Sequence, residues 1–288
     1  MGNAAARTAV GPMVIVAVDQ YEEVPLVRDK LAYRLLPAGV KLMASVSRIP
    51  LVRRWMINAT EKQAPGLWAS MLCRKRYIDD QLRDAVKSGV EAVVILGAGL
   101  DTRAYRLPWL NGLPVYEVDL PENISRKRAV LQRLYGKIPD HVTLVPIDFE
   151  TEDLQEVLTA HGHRADTKTV FVWEAVTQYL TEGAARRTFD YLSTAAIGSR
   201  LMFTYVRKDF LDGASLFGGE AMYREYVVKR RLWRFGMEPD QVAGFLSEYG
   251  WCLADHIGPR EFADRYLKRR GRDLTASEVE RSVCAEKA

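Results

Sequence analysis

From about Val93 onward the chain alternates between two patterns of apolar and polar positions. Short runs rich in β-branched and aromatic residues, "EAVVILGAG", "LPVYEVDL", "HVTLVPIDF", "KTVFVWEAVTQYL" and "SRLMFTYV", read as five strands. Between them, "ENISRKRAVLQRLYG", "TEDLQEVLTAHG" and "EGAARRTFDYLSTAA" have helical spacing, and Gly136 stands where the first of these should stop. Strands alternating with helices predict an α/β fold, a mostly parallel, doubly wound sheet with helices on both faces. Such sheets bind ligands beyond the carboxyl ends of their strands. "DQVAGFLSEYGW" adds a helix, and "WCLADHIGP" and "ERSVCAEKA" are expected as late strands that close the sheet.

Two stretches break the alternation. Residues 1–76 read as helices without strands, in "PLVRDKLAYRLLP", "VKLMASVSRI" and "GLWASMLCRKRYIDDQLRDAV", the last entering the core. This predicts a helical cap over 1–76 and a ligand-binding core over 77–288. Residues 206–238 follow the fifth strand with no strand pattern of their own, are rich in aromatic and basic residues, and contain an "FGGE" break. They are expected to form a lid over the site, together with the N-terminal helices.

Composition narrows the class. The 288 residues, 48% hydrophobic, suffice for one large domain, or one domain plus a cap. No apolar run reaches the eighteen or so residues of a membrane span, the first twenty residues lack the order of a signal peptide, and Ala6 stands where a myristoylation signal wants Ser or Thr. The expectation is a soluble, cytoplasmic protein acting on a small molecule, with no nucleic-acid partner. Cys73, Cys252 and Cys284 are scattered, and His161 and His163 in "HGHRAD" read as a polar loop, so no metal is expected. Residues 1–76 hold 12 basic and 5 acidic side chains, whereas the remainder holds 29 and 32. That basic quarter is either a solvated helical surface or one that attracts an anionic substrate or lipid.

Chemistry gathers at the strand ends. "VVILGAGLDTRAYRL" places Gly97 and Gly99 after the first strand, with Asp101 two residues on. A dinucleotide loop wants a third glycine where Thr102 stands, and Asp101 would repel a pyrophosphate by a few kcal/mol, to order of magnitude. A ligand bearing an ammonium would welcome that acid, and S-adenosylmethionine (SAM), with an ammonium, a sulfonium and no phosphate, fits. Asp119 ends the second strand about 20 residues later, where a carboxylate can accept hydrogen bonds from ribose hydroxyls. Asp148 ends the third, where a side chain can meet an adenine edge while Phe149 packs on the ring, and Glu174 stands at or beyond the end of the fourth. Asp119 or Asp148 taken alone would equally serve to cap the next helix. All four acids in register with a two-glycine loop point to a nucleoside-like, cationic ligand.

"LGAGLDTRAYRL", "VYEVDLP" followed by "RK", the acid of "PIDF", and "WEAVTQYL" together resemble the leucine carboxyl methyltransferase family. Within it they are most similar to the actinobacterial group of SAM-dependent methyltransferases that includes the tetracenomycin-type polyketide O-methyltransferases. The likeness covers about residues 70–180, and "GRDLTASEVERSVCA" is similar to that group's C-terminus. The resemblance implies a class I, Rossmann-like methyltransferase fold with SAM as cofactor. It implies that Arg74 contacts the SAM carboxylate, that Gly97 and Gly99 admit the methionine part, and that Asp119 binds the ribose. Asp148 and Phe149 would bind the adenine, although the family usually has Asp-Leu there, and Glu174 would lie near the SAM amino group. The N-terminal helices match the family only loosely, so its N-terminal SAM-contacting lysine is assigned no counterpart here, and the segment after the fifth strand corresponds to its variable substrate cap.

The implied reaction is in-line displacement at the sulfonium methyl. A carboxylate acceptor needs no base near neutral pH, whereas a phenol or alcohol does. His141, His161 and His163 fall on the far side of the sheet, which leaves His256 as the histidine placed to reach the rim. Tyr205 and Tyr179 would either orient an acceptor or simply pack. The scarcity of bases favours a carboxyl acceptor over an O-methylated phenol or alcohol. Two other classes stay open: a nicotinamide dehydrogenase, against the objection of Asp101, and a non-enzymatic SAM- or anion-binding module using Arg53-Arg54-Trp55 as a nucleic-acid or anionic-membrane patch.

Overall fold

Every residue of β1 (Ala92–Leu96) and β2 (Val115–Asp119) is buried, so both faces of each strand are covered: β1 is an uninterrupted apolar run, and β2 carries Glu117 and Asp119 among its apolar residues. In the computed structural model, which describes residues 10–288, both are interior strands of an eight-stranded sheet. The reading of Ala6 lies outside the described residues. Strands β3 (Val142–Pro146), β4 (Thr169–Trp173) and β5 (Arg200–Arg207) complete a parallel set in the order β3-β2-β1-β4-β5. A two-residue strand, β6 (Gly236–Met237), pairs in parallel with the end of β5, so the stretch 206–238 is not strandless as expected. Two late strands, β7 (Trp251–Ile257) and β8 (Glu280–Lys287), continue the sheet, with β8 antiparallel to both β5 and β7. The strand order reverses between β1 and β4, where open sheets leave a crevice for ligands.

The pleat sorts side chains onto two faces. Val93 and Ile95 join one hydrophobic cluster, and Ala92, Val94 and Leu96 join the other. The first face is covered by the N-terminal helices: α1 (Val10–Asp19), α2 (Lys30–Leu35), α3 (Ala38–Val46), α4 (Pro50–Gln63) and α5 (Leu67–Lys87). Two of these, α1 and α4, were not among the expected helices. In α1, Met13 and Ile15 to Val18 are all buried, so no polar face marks its period, while in α4 nothing is buried at all. The expected boundary at residue 76 falls inside the continuous helix α5, and the cap shares its core with the sheet, as Met13, Leu26, Trp68 and Leu72 cluster with Val93, Ile95 and Met202.

Helix α6 (Pro121–Tyr135) lies on the same face and stops, as read, at Gly136, whose φ of 76° suits glycine. Helices α7 (Leu154–Ala160), α8 (Glu182–Ser193) and α9 (Val242–Glu248) cover the other face. His163, in the loop read as polar, has its side chain buried beneath them. Its ring nitrogens face Thr169 Oγ1 at 3.0 Å and the Tyr191 hydroxyl at 3.1 Å, and burial pushes its pKa down to about 4. No helix among the described residues is long and apolar enough to cross a membrane.

One charged pair sits inside this fold. Glu117, in the middle of β2, meets Lys127 of α6 at 2.7 Å and accepts a hydrogen bond from the Tyr105 hydroxyl at 2.5 Å, with both charged side chains almost wholly buried. Removing one partner of such a pair strands the other. Lys127→Met should therefore cost about 3–5 kcal/mol in urea unfolding, and adding Glu117→Leu should recover a large part of it. A loss under about 1 kcal/mol for Lys127→Met alone would mean that the pair carries no buried charge.

Candidate active site

The loop after β1 is shaped by two left-handed glycines. Gly97 has φ 71° and Gly99 φ 37°, and a Cβ on Gly97 would stand 2.1 Å from Val176 Cγ2. The N–H groups of Gly97 and Ala98 both donate to Val118 O, at 2.8 and 2.9 Å, and Gly99 N–H donates to Asp119 Oδ2 at 2.5 Å. Asp119 Oδ1 accepts from Leu120 N–H and from the Asn123 amide, each at 2.7 Å. The residue thus ties the glycine loop to β2 and to the Asn123 side chain in the first turn of α6, while burial pushes its carboxyl up. Asp148 follows β3, half-buried, accepting from Glu150 N–H at 3.0 Å, and Phe149 beside it is buried. Glu174 follows β4 and leads into a strained turn, where Ala175 has φ 58°, held by its N–H to Thr204 Oγ1 at 2.9 Å.

These residues face one cavity of about 1420 Å³. Arg74, Gly97, Gly99, Asp101, Asp119, Asp148, Phe149 and Glu174 all line it, as does Tyr179. Tyr205 and His256 do not. They lie on the other face, the Tyr205 hydroxyl bonded to His256 Nε2 at 2.9 Å, so His256 does not reach the rim as expected, and of the two readings of Tyr205 its burial matches packing. The alternation of β5 is the reason, since Leu201, Phe203 and Tyr205 share one face while Thr204 turns to the other. His141 Nε2 contacts Ala104 O at 3.0 Å, away from the cavity.

Beneath the cavity lies a charged cluster that sequence reading found only in part. Arg103, fully buried, reaches Asp79 at 2.8 Å and Glu174 at 2.7 Å, and binds Asp101 through both its guanidinium and its backbone N–H. Asp101 is therefore not a free acid at the loop mouth, because its charge is answered within the protein. Arg74 bridges Glu174 at 2.8 Å and Glu280 at 2.6 Å, and Glu280 also accepts from Thr204 Oγ1 at 2.6 Å. Arg106 joins Asp79 at 2.7 Å to Asp29 at 3.5 Å. Asp29 in turn caps α2 and accepts from Thr102 Oγ1 at 2.6 Å. Burial opposes ionisation of Asp101 and Glu174. Arg103 outweighs it at Asp101, and Lys75, Arg103 and Arg74 outweigh it at Glu174, holding both carboxyls below the usual range, Glu174 well below.

The outer wall is apolar. Met13 of α1, Met43 of α3 and Trp55 of α4 contribute, opposite Tyr226 and Trp233, whose rings stack at 4.9 Å and 11°. Tyr226 belongs to a π-helical turn, Tyr223–Lys229, in the expected lid. Gln178 also lines the cavity. It is 4% exposed, and its Oε1 is buried without a hydrogen-bond partner. Single-ligand pockets commonly measure about 300–1,000 Å³, so this cavity has room for two ligands.

Comparison with known proteins agrees with this layout. The sequence model of a family described as leucine carboxyl methyltransferase matches residues 9–193. A "Putative S-adenosyl-L-methionine-dependent methyltransferase" of Frankia alni is 32% identical over 250 residues, covering 85% of this chain and 81% of that one. A protein of the same description from Streptomyces coelicolor is 31% identical over 252 residues, with coverage of 86% and 83%. Among solved structures, a DUF574 family protein from Streptomyces avermitilis superposes with a TM-score of 0.57 at 15% identity, covering 95% of this chain and 97% of that one. A "putative methyltransferase" from Thermobifida fusca gives 0.55 at 16%, covering 82% and 89%. These two likenesses speak for the fold.

The charged cluster makes stability depend on pH in a definite direction. The folded-state pKa values of Glu174 and Asp101 lie below their unfolded values. Their contribution is therefore whole above the unfolded carboxylate range, about pH 4–5, and fades as pH falls through the folded values. Urea midpoints should drop between about pH 5 and pH 3, and the drop should be shallower in Glu174→Gln than in the parent. Equal slopes would remove Glu174 from this account.

Proposed function

The chain belongs to the leucine carboxyl methyltransferase family and is a SAM-dependent methyltransferase, and we propose that its acceptor is the carboxylate of a small, mainly apolar acid. The observation that carries this reading is that none of the four histidines lines the cavity. A carboxylate is its own nucleophile above about pH 6 and needs no base.

The residues fit the cofactor. Gly97 and Gly99 leave the loop bare of side chains where the methionine part would lie, and Val176 forbids any at Gly97. Arg74, with Nη2 outside both of its ion pairs, would hold the SAM carboxylate, and Glu174, kept ionised, would face the ammonium. Asp119 would take the ribose hydroxyls, with Asp148 and Phe149 at the adenine. Bound SAM supplies a methyl group on a sulfonium, open to in-line displacement. The protein's part is to position the acceptor and exclude water. Residues 206–238 and the cap would roof the acceptor, with Tyr226 and Trp233 as an aromatic wall. Arg231, which lines the cavity and has no acidic partner among the described residues, would draw the acid in. A second reading, a phenol or alcohol acceptor, has its own support in Gln178, whose unpartnered Oε1 would accept from a hydroxyl. The carboxamide turned over would serve a carboxylate equally well.

Asp119→Ala should weaken SAM by about 10- to 100-fold in calorimetric titration, since hydrogen bonds to a charged group are worth about 1.5–3 kcal/mol; unchanged affinity would remove the ribose assignment. For the acceptor, single-turnover rates should be nearly flat from about pH 6 to 9 and the product should be an ester cleaved by mild alkali. A rate that climbs with pH, with an alkali-stable product, would establish the hydroxyl acceptor instead.

A further inference from the structure

The cap turns an apolar and cationic face to solvent. Along α3 and the bend after it, Leu42 is 71%, Met43 49%, Val46 43% and Ile49 54% exposed, and α4 adds Leu51 at 77% and Trp55 at 69%. Of the eleven large apolar side chains exposed among the described residues, these six fall within positions 42–55, so the exposure is concentrated rather than scattered. Along α4, Leu51, Arg54, Trp55, Asn58 and Lys62 are all exposed, at the spacing of a single helical stripe.

The charge of this face has one sign. Residues 38–63 carry Lys41, Arg48, Arg53, Arg54 and Lys62 against one acid, Glu61. Glu61 is turned inward, accepting from the N–H groups of Gly66 and Trp68 at 2.7 and 3.1 Å. Arg53 is paired with Glu22 at 2.6 Å, but Arg54 and Lys62 have no acidic partner among the described residues. A two-fold contact with a second copy would set these cations against themselves. Nucleic acid would answer the cations and leave the aliphatic side chains in water. Tryptophan and aliphatic residues interleaved with Arg and Lys suit the interface of an anionic bilayer, where the apolar groups enter and the cations meet lipid phosphates.

We propose that the face formed by α3 and α4 docks on an anionic lipid bilayer and opens the cavity towards it. Met43 and Trp55 belong both to this exposed face and to the cavity wall. The wall therefore runs out onto the docking surface, and an amphiphilic acid dissolved in the lipid would reach the site without crossing water. That route for the acceptor rests on the reading of an apolar acid above, whereas the docking does not.

The test is flotation of the full chain with vesicles of phosphatidylcholine alone and with about 30% phosphatidylglycerol, at low and high salt. Binding should need the anionic lipid and weaken with salt. Replacing Arg54 and Lys62 together by Glu should lower partitioning by at least about 10-fold, each lost cation counting about 5-fold. Leu51→Ser should lower it severalfold. None of these three side chains lines the cavity, so SAM titration of the same samples should give unchanged affinity, and that checks folding. Retained SAM binding without vesicle binding, or equal partitioning of parent and variants, would overturn the docking and leave the catalytic reading standing. A dimer in light scattering that Leu51→Ser dissociates would overturn it too, giving the face to a second copy.

Discussion

A guanidinium cannot be left unanswered in a dry interior, and Arg103 has no exposed surface at all. Its charge is met from three directions: Asp79 on α5, Asp101 on its own loop and Glu174 at the end of β4. Each acid in turn is answered by, or answers, a neighbouring base. Arg106 carries the chain of contacts to Asp29 at the start of α2, and Arg74 carries it to Glu280 on β8. The cap, the glycine loop and both halves of the sheet are thereby held to a common geometry. The positions of Glu174 and Arg74 at the cavity follow from this constraint more than from the strand and the helix that lead to them.

Above that charged floor the cavity divides its labour. The strand ends of β1 to β4 form a polar, closely hydrogen-bonded side, in which Asp119 already spends three of its acceptor positions inside the protein. The opposite side, from α1, α3, α4 and the segment after β5, is mainly apolar and aromatic, with Glu225, Arg231 and Arg234 among its lining. A methyltransferase site must place its charged cofactor with precision and also admit an acceptor. Rigid elements supply the first requirement, and helices attached at the edge of the fold supply the second.

The parallel strands were legible because β-branched runs between helical segments have few other solutions, and the acids at their ends followed from topology. Helix α1 was hidden by being apolar all round, with Pro12 in its first turn, where proline is tolerated. Tyr205 could have been set aside by parity alone, since it shares a face with Leu201 and Phe203. Arg103 and Glu280 were in quoted stretches and still could not be assigned. Nothing local distinguishes a buried arginine from a solvated one, and Glu280 meets Arg74 across 206 residues. The two-residue strand β6 is too short to have any periodicity.

The place of β8 has a consequence for biosynthesis. This strand comes after β7 in the chain yet lies between β5 and β7 in the sheet. Until residues 280–287 have left the ribosome, β5 has an open edge and β7 has no neighbour to pair with. Glu280 arrives on the same strand, so Arg74 also waits for its second carboxylate. Between the synthesis of β5 and that of β8 the nascent chain therefore holds an unpaired strand edge, and Arg74 is still short of its second carboxylate, the kind of surface that chaperones shield. Closure of the sheet and completion of the charged cluster are one event, late and non-local, and folding speed should be governed by that long-range pairing rather than by the helices that form first.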